Sequence, residues 1–204
     1  MGFTILHVNI RNFRKNKYSF NITTNDYNPD IILLNETGQV DSSFLKIRGY
    51  KGFGTKNNIN DGMAIFYKYN LSIEHVTFTD EDLIAIKIIT NMGPILIATS
   101  YCPPRIKSLP IIAINKLFNQ PLPILFIGDL NAKHYILNNT NSSHPNIKGK
   151  QLCNIVNHYD LQVLGPSFNT YITAHNKGKP DIILSNKKFT ILFKVMTLVR
   201  TIFR

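Results

Sequence analysis

The stretch "PILFIGDLNAKH", Pro123 to His134, runs apolar residues straight into an aspartate, an asparagine, a lysine and a histidine. A strand buried on both faces reads as a continuous apolar run, and in open α/β sheets ligands bind just beyond the carboxyl ends of such strands. Asp129 and Asn131 are therefore expected at the rim of a sheet, where chemistry can reach them. Both residue types also form turns and cap helices. Taken alone, the stretch reads more plainly as a turn, and its meaning depends on what the rest of the chain places beside it.

The chain has 204 residues, 44% of them hydrophobic, which is enough for one compact domain with a full core. A formal charge of +11 favours a polyanionic partner, either nucleic acid or an acidic membrane surface. Cys102 and Cys153 offer neither a disulfide framework nor a four-ligand zinc set, so free thiols in a reducing compartment are expected. The opening "MGFTILHVNIRNFRK" breaks into Asn and Arg too early for a secretory signal. The longest apolar region, Leu109 to Ile127, is interrupted by Asn115, Lys116, Asn119 and prolines, so no membrane span is expected.

β-branched runs bounded by turn residues predict strands over Ile5–Ile10, Asp30–Leu34, Met63–Tyr67, Leu83–Ile89, Ile95–Ser100, Ile124–Ile127 and Asp181–Leu184. Helical spacing predicts helices over Leu109–Phe118 and Gly149–Tyr159, with a weaker one around Lys17–Thr24. Met63 to Ser100 reads as consecutive antiparallel strands, whereas helices separate the strands on either side. This mixed order predicts an α/β sandwich of two sheets.

Polar residues recur where these strands end. Asn9 closes the first, Glu36 follows the second, Tyr101 follows "ILIATS", Asp129 and Asn131 close "ILFIGDLN", and Asp181 opens "DIILS". Any one of them makes an ordinary cap or turn. Together they would suit a hard cation, since Mg²⁺ is commonly held by one or two carboxylates, waters and a substrate phosphate.

The series "HVNIR", "PDIILLNET", "DGMAIFYK", "ATSYCPPR", "FIGDLNAKH" and "NTY…PDIILSN", in this order, resembles the endonuclease/exonuclease/phosphatase superfamily. Within it, "SYCPPR" and "GDLNAKH" resemble the apurinic-endonuclease-like domain of non-LTR (LINE-type) retrotransposons. The resemblance implies a four-layer, DNase I-like α/β sandwich over residues 1–188. It implies a DNA endonuclease that uses Mg²⁺ or Mn²⁺ and leaves a 3′-hydroxyl for a reverse transcriptase, itself on separate or missing sequence. A nuclear location goes with that reading. Glu36 and Asn9 would bind the metal, Asp129 would align and activate the attacking water, Asn131 would hold the scissile phosphate and Tyr101 would contact it. Lys133, Arg105 and Arg11 are candidates for further phosphate contacts.

One departure stands against these matches. Members of the family continue into a Ser-Asp-His strand whose histidine faces the phosphate, and Asp181 would orient that histidine. Here residues 187–204 read "KKFTILFKVMTLVRTIFR", and no histidine follows Asp181. Asp181 is thus expected to lack its partner, and residues 189–204 to form an atypical apolar-basic tail, either a strand in the missing one's place or frameshifted sequence, in preference to a basic interfacial helix. Without a replacement strand a sheet edge would stay open. His134 belongs to the "GDLNAKH" pattern and His175 lies in a polar loop, so neither is expected to substitute. An impaired endonuclease and an inactive remnant that only binds nucleic acid both follow. A stand-alone enzyme of abasic-site repair is a weaker alternative, because it would need the same histidine.

Overall fold

The computed structural model describes residues 3–38, 45–55, 61–76, 82–138, 144–165, 169–172, 177–186, 193–197 and 200–201. In chain order the elements are β1 (Phe3–Asn9), α1 (Phe13–Tyr27), β2 (Ile31–Asn35), β3 (Tyr50–Gly54), β4 (Met63–Lys68), β5 (Ile73–Val76), β6 (Leu83–Thr90) and β7 (Gly93–Tyr101). They continue with α2 (Ile111–Phe118), β8 (Ile124–Asp129), α3 (Tyr135–Asn138), α4 (Ile147–Tyr159), β9 (Gln162–Gly165), β10 (Tyr171–Ile172), β11 (Lys177–Gly178), β12 (Asp181–Ser185), β13 (Phe193–Thr197) and β14 (Arg200–Thr201).

Two mixed sheets face each other. One runs β13-β1-β2-β4-β3 and the other β5-β6-β7-β8-β12-β9, with a small sheet β11-β10-β14 beside them. Side chains alternate between the faces of a strand, and the core divides accordingly. Ile5, Ile31, Leu33 and Ile65 from the first sheet meet Ile86, Ile97, Leu125, Ile127 and Ile183 from the second. The alternate residues Leu6, Ile32 and Leu34 turn outward onto Phe13 and Phe20 of α1. On the far side Leu96, Ala98 and Phe126 turn outward onto Ile114 and Leu117 of α2 and Leu152 and Ile155 of α4. The order is therefore helix, sheet, sheet, helix. Apolar runs such as "ILFI" are continuous because both of their faces are covered.

All seven expected strands form, with ends within about two residues of their expected positions. The helix expected around Lys17–Thr24 extends over Phe13–Tyr27. Its start is fixed by Asn12, whose side chain accepts from Lys15 N–H, and its end by Asn28 in the left-handed conformation.

The open sheet edge does not occur at β1. Parallel β13 pairs along it from Phe3↔Phe193 to His7↔Thr197, so the apolar tail supplies the covering strand. Among the described residues no helix is long and apolar enough to cross a membrane.

Candidate active site

Strand register brings the polar strand ends together. Asp129 lies directly opposite Tyr101 of parallel β7 and opposite Asp181 of antiparallel β12. Cross-strand partners point to the same face, so all three side chains turn inward, toward the first sheet. There Asn9 is the partner of Asn35, the residue before Glu36. Gly128 makes the alignment possible. A Cβ on it would stand 2.3 Å from the carbonyl oxygen of Ser100, so no larger residue fits where β7 and β8 approach.

The cluster is tied across the sandwich by short hydrogen bonds. Asn9 Nδ2 donates to Glu36 Oε1 at 2.6 Å and to Asp129 Oδ2 at 3.1 Å, joining the two carboxylates. The Tyr101 hydroxyl donates to the same Glu36 oxygen at 2.5 Å. Asn131 Nδ2 donates to Asp129 Oδ1 at 2.7 Å and to the Cys102 carbonyl at 3.3 Å. Glu36 and Asn131 both adopt positive φ, 55° and 49°. Asparagine tolerates that region, but glutamate rarely enters it. A non-glycine residue held there marks a position that the surroundings over-determine, as functional sites often do.

Burial sets the electrostatics. Asp129 and Asp181 are nearly inaccessible, at 5% and 6% exposure. Desolvation raises the pKa of the Asp129 carboxyl, and the neighbouring Asp181 charge raises it further. Desolvation raises Asp181 as well, with the Thr170 hydroxyl acting in the opposite sense. Burial likewise pushes the Tyr101 phenol upward, reinforced by Glu36, so it stays a proton donor.

Asp181 does have a histidine neighbour, but it comes from β1 and not from a strand that follows Asp181. His7, on β1 and fully buried, places Nδ1 3.4 Å from Asp181 Oδ1. Its Nε2 lies 2.8 Å from Asn35 Oδ1. That oxygen also accepts the Asp129 backbone N–H at 3.3 Å, which identifies it as the acceptor and leaves Nε2 of His7 as the donor. Asn35 Nδ2 then donates to Thr99 at 3.3 Å. Nδ1 therefore turns its lone pair toward a carboxylate, and it has no hydrogen bond. Desolvation lowers the pKa of His7 while it raises that of Asp181, so burial disfavours the charged form of both groups. The sequence carried a signal for this contact: a histidine between apolar residues, in a strand covered on both faces, needs a buried polar partner.

Two further groups brace the site. Lys148 of α4 is buried, and its ammonium donates to the carbonyls of Cys102 and Pro103 at 3.1 and 3.0 Å, fixing the loop after Tyr101. The side chain of Asn146 caps α4 through Gly149 N–H at 2.7 Å and donates to the Asn131 carbonyl at 2.8 Å. Arg105 pairs with Asp61 at 2.9 Å, and its charge stands near Tyr101 and Glu36. Arg11 and Lys133 are exposed beside the strand ends. His134 stacks on Tyr135 and accepts from Ile136 N–H, both within its own segment. His175 lies outside the described residues.

Among the described residues no cluster of three or more His, Cys, Asp or Glu side chains is arranged as a metal site. The donor chemistry still fits a hard cation that keeps most of its waters. Glu36 and Asp129 are carboxylates joined by one amide, and the hydrogen bonds Glu36 receives fall on Oε1, leaving Oε2 for a cation.

The fold and this strand-end cluster define a DNase I-like α/β sandwich. The sequence model of the endonuclease-reverse transcriptase family matches residues 95–200, slightly more than half of the chain and well past Asn186. The chain belongs to that family, within the endonuclease/exonuclease/phosphatase superfamily. A search of curated proteins finds no match. Among solved structures, the endonuclease domain of TRAS1, a telomere-specific non-LTR retrotransposon, superposes with a TM-score of 0.71 at 18% identity, covering 90% of this chain and 84% of that one. An AP endonuclease from Archaeoglobus fulgidus gives 0.61 at 14% identity, covering 91% and 87%. The AP endonuclease LMAP from Leishmania major gives 0.63 at 12%, covering 91% and 78%.

Proposed function

We propose that the chain is a metal-dependent DNA endonuclease of the retrotransposon type, which nicks a phosphodiester to leave a 3′-hydroxyl. The observation that carries this reading is the convergence of Glu36, Asn9, Tyr101, Asp129 and Asn131 within hydrogen-bonding distance of one another at the ends of strands from both sheets. Glu36 and Asn9 would hold Mg²⁺ or Mn²⁺, which when bound supplies Lewis-acid stabilisation of charge on the phosphate.

The chain's own groups do the rest. The Asp129 carboxylate orients a water and accepts its proton as the water oxygen bonds to phosphorus. The P–O3′ bond breaks, and the leaving oxygen takes up a proton to end as the 3′-hydroxyl. The Asn131 amide and the Tyr101 hydroxyl donate hydrogen bonds to non-bridging phosphate oxygens. His7 holds Asn35, which in turn accepts the Asp129 backbone N–H, and Asp181 stands opposite Asp129 in the sheet, as positioning groups. His7 is fully buried, so it cannot itself donate to the phosphate. Slow turnover is the consequence, since losing one preorganised donor costs about 10² to 10³ in rate.

The test is nicking of supercoiled plasmid with Mg²⁺, with Asp129→Ala and chelator as controls. Mg²⁺-dependent nicking that Asp129→Ala abolishes supports the reading. Nicking that survives both controls rejects it. The absence of an exposed histidine among the described groups around Asp181 favours a second reading, an inactive remnant that binds nucleic acid. That reading predicts DNA binding with no nicking at any Mg²⁺ or Mn²⁺ concentration.

A further inference from the structure

We infer that a basic groove on the outer side of the first sheet binds single-stranded nucleic acid. The inference concerns binding alone and stands whether or not the cleft hydrolyses DNA. The groove has a volume of about 720 Å³ and lies between α1, the segment before β3, and the turn after β4. Among the described residues, Lys17, Lys46 and Arg48 line it and no carboxylate does.

The cations are presented by an anchored backbone. In the segment "LKIR", Leu45 and Ile47 are buried at 4% and 6% exposure, so the alternate residues Lys46 and Arg48 are exposed. Lys17 sits above the buried ring of Phe13, 5.9 Å from its centroid. None of these three cations takes part in an ion pair of the described residues.

Tyr69 lines the same groove and is 61% exposed, with the Lys51 ammonium 5.6 Å from its ring. Cations that track a backbone, together with an exposed aromatic ring on which a base stacks, form the working unit of single-strand binding. A space of about 720 Å³ accepts a strand of a few nucleotides.

The groove also has a direction. The backbone N–H of Asn12, at the start of α1, donates to the Glu36 carbonyl at 2.7 Å, so the helix begins at the candidate active site. Lys17 and Asn21 then follow at roughly 8 and 14 Å along its axis. A strand in the groove therefore lies alongside the helix that leads to the cleft.

The experiment uses the full chain with chelator present and a fluorescein-labelled 12-residue oligothymidine, followed by anisotropy across a salt series. Lys46→Glu/Arg48→Glu is compared with Lys116→Glu/Lys150→Glu, which removes the same charge elsewhere. The groove pair is expected to weaken binding roughly tenfold or more beyond the control pair. It should also reduce the slope of log affinity against log salt by about 1.4, since each single-strand phosphate contributes about 0.7. Tyr69→Ala is expected to weaken oligothymidine binding about tenfold and to leave duplex binding unchanged. Lys46→Gln/Arg48→Gln serves if charge reversal unfolds the protein, which circular dichroism reports. Equal effects of the two charge-reversal pairs would overturn the inference, as would a larger effect on duplex than on single strand. So would a groove variant that loses anionic vesicles while keeping the oligonucleotide.

Discussion

At the scale of single residues, the contact between His7 and Asp181 makes two predictions. Folding raises the pKa of Asp181, mainly by desolvation. Its contribution to stability is therefore fully present below the ordinary carboxylate range and is lost as pH climbs through the raised value. Asp181→Asn removes that pH-dependent penalty. In chelator, the variant's stability relative to the parent should rise by on the order of 1 to 3 kcal/mol between pH 4 and 8. Parallel urea curves across that range would contradict the assignment. His7→Leu has a different effect, because it removes the donor to Asn35 Oδ1 while leaving the Asp129 N–H there. A lost hydrogen bond to a buried group costs about 1 to 3 kcal/mol. If the cleft is a nuclease, nicking should also fall about tenfold or more at unchanged KM, since small misplacements of a reacting group cost rate. His7→Gln, which keeps a donor, should recover part of both losses; recovery of stability without rate would make the role purely structural.

At the scale of elements, what the sequence made legible follows burial. β1, β2, β4, β6, β7, β8 and β12 lie inside the sheets, where both faces need apolar residues, and their runs of Ile, Leu and Val announce them. β3 ("YKGFG"), β5 ("IEHV") and β9 ("QVLG") are edge strands that carry exposed polar residues, with glycine in β3 and β9, so no apolar run marks them. The polar strand ends were readable one by one, but their meeting depends on register, which no single strand encodes. His7 escaped notice because its partners lie 28 and 174 residues away along the chain. The tail is the opposite case, since its apolar pattern suggested a strand but not its neighbour. Because β13 covers the free edge of β1, ending the chain at Asn186 should expose an apolar strand edge. Tm is expected to fall by roughly 5 °C or more, with concentration-dependent self-association in size-exclusion chromatography. An unchanged Tm and a monomeric profile would mean that β13 contributes little to the sheet.

At the scale of the whole molecule, the charge is distributed against itself. The chain carries a net +11, yet the cleft concentrates Glu36, Asp129 and Asp181, with Asp61 at its rim beside Arg105. A phosphate is drawn to the molecule by the first and repelled from the cleft by the second. On the proposed reading, peripheral cations such as Arg11 and Lys133 would hold DNA without any metal, whereas seating a phosphodiester between the carboxylates requires a cation to offset them. Metal removal should therefore separate the two steps. In chelator, DNA binding is expected to persist and to weaken steeply with salt, each duplex phosphate contact adding about 0.9 to the log-log slope, while nicking stops. Restoring Mg²⁺ should bring back nicking and lower the salt slope only slightly, because the peripheral contacts are unchanged. Glu36→Gln should lose the Mg²⁺ response and, by removing one of the repelling charges, bind DNA in chelator at least as tightly as the parent. Fluorescence anisotropy and plasmid nicking on the same preparations decide the matter. If chelator abolishes binding along with nicking, the metal rather than the basic surface holds the DNA.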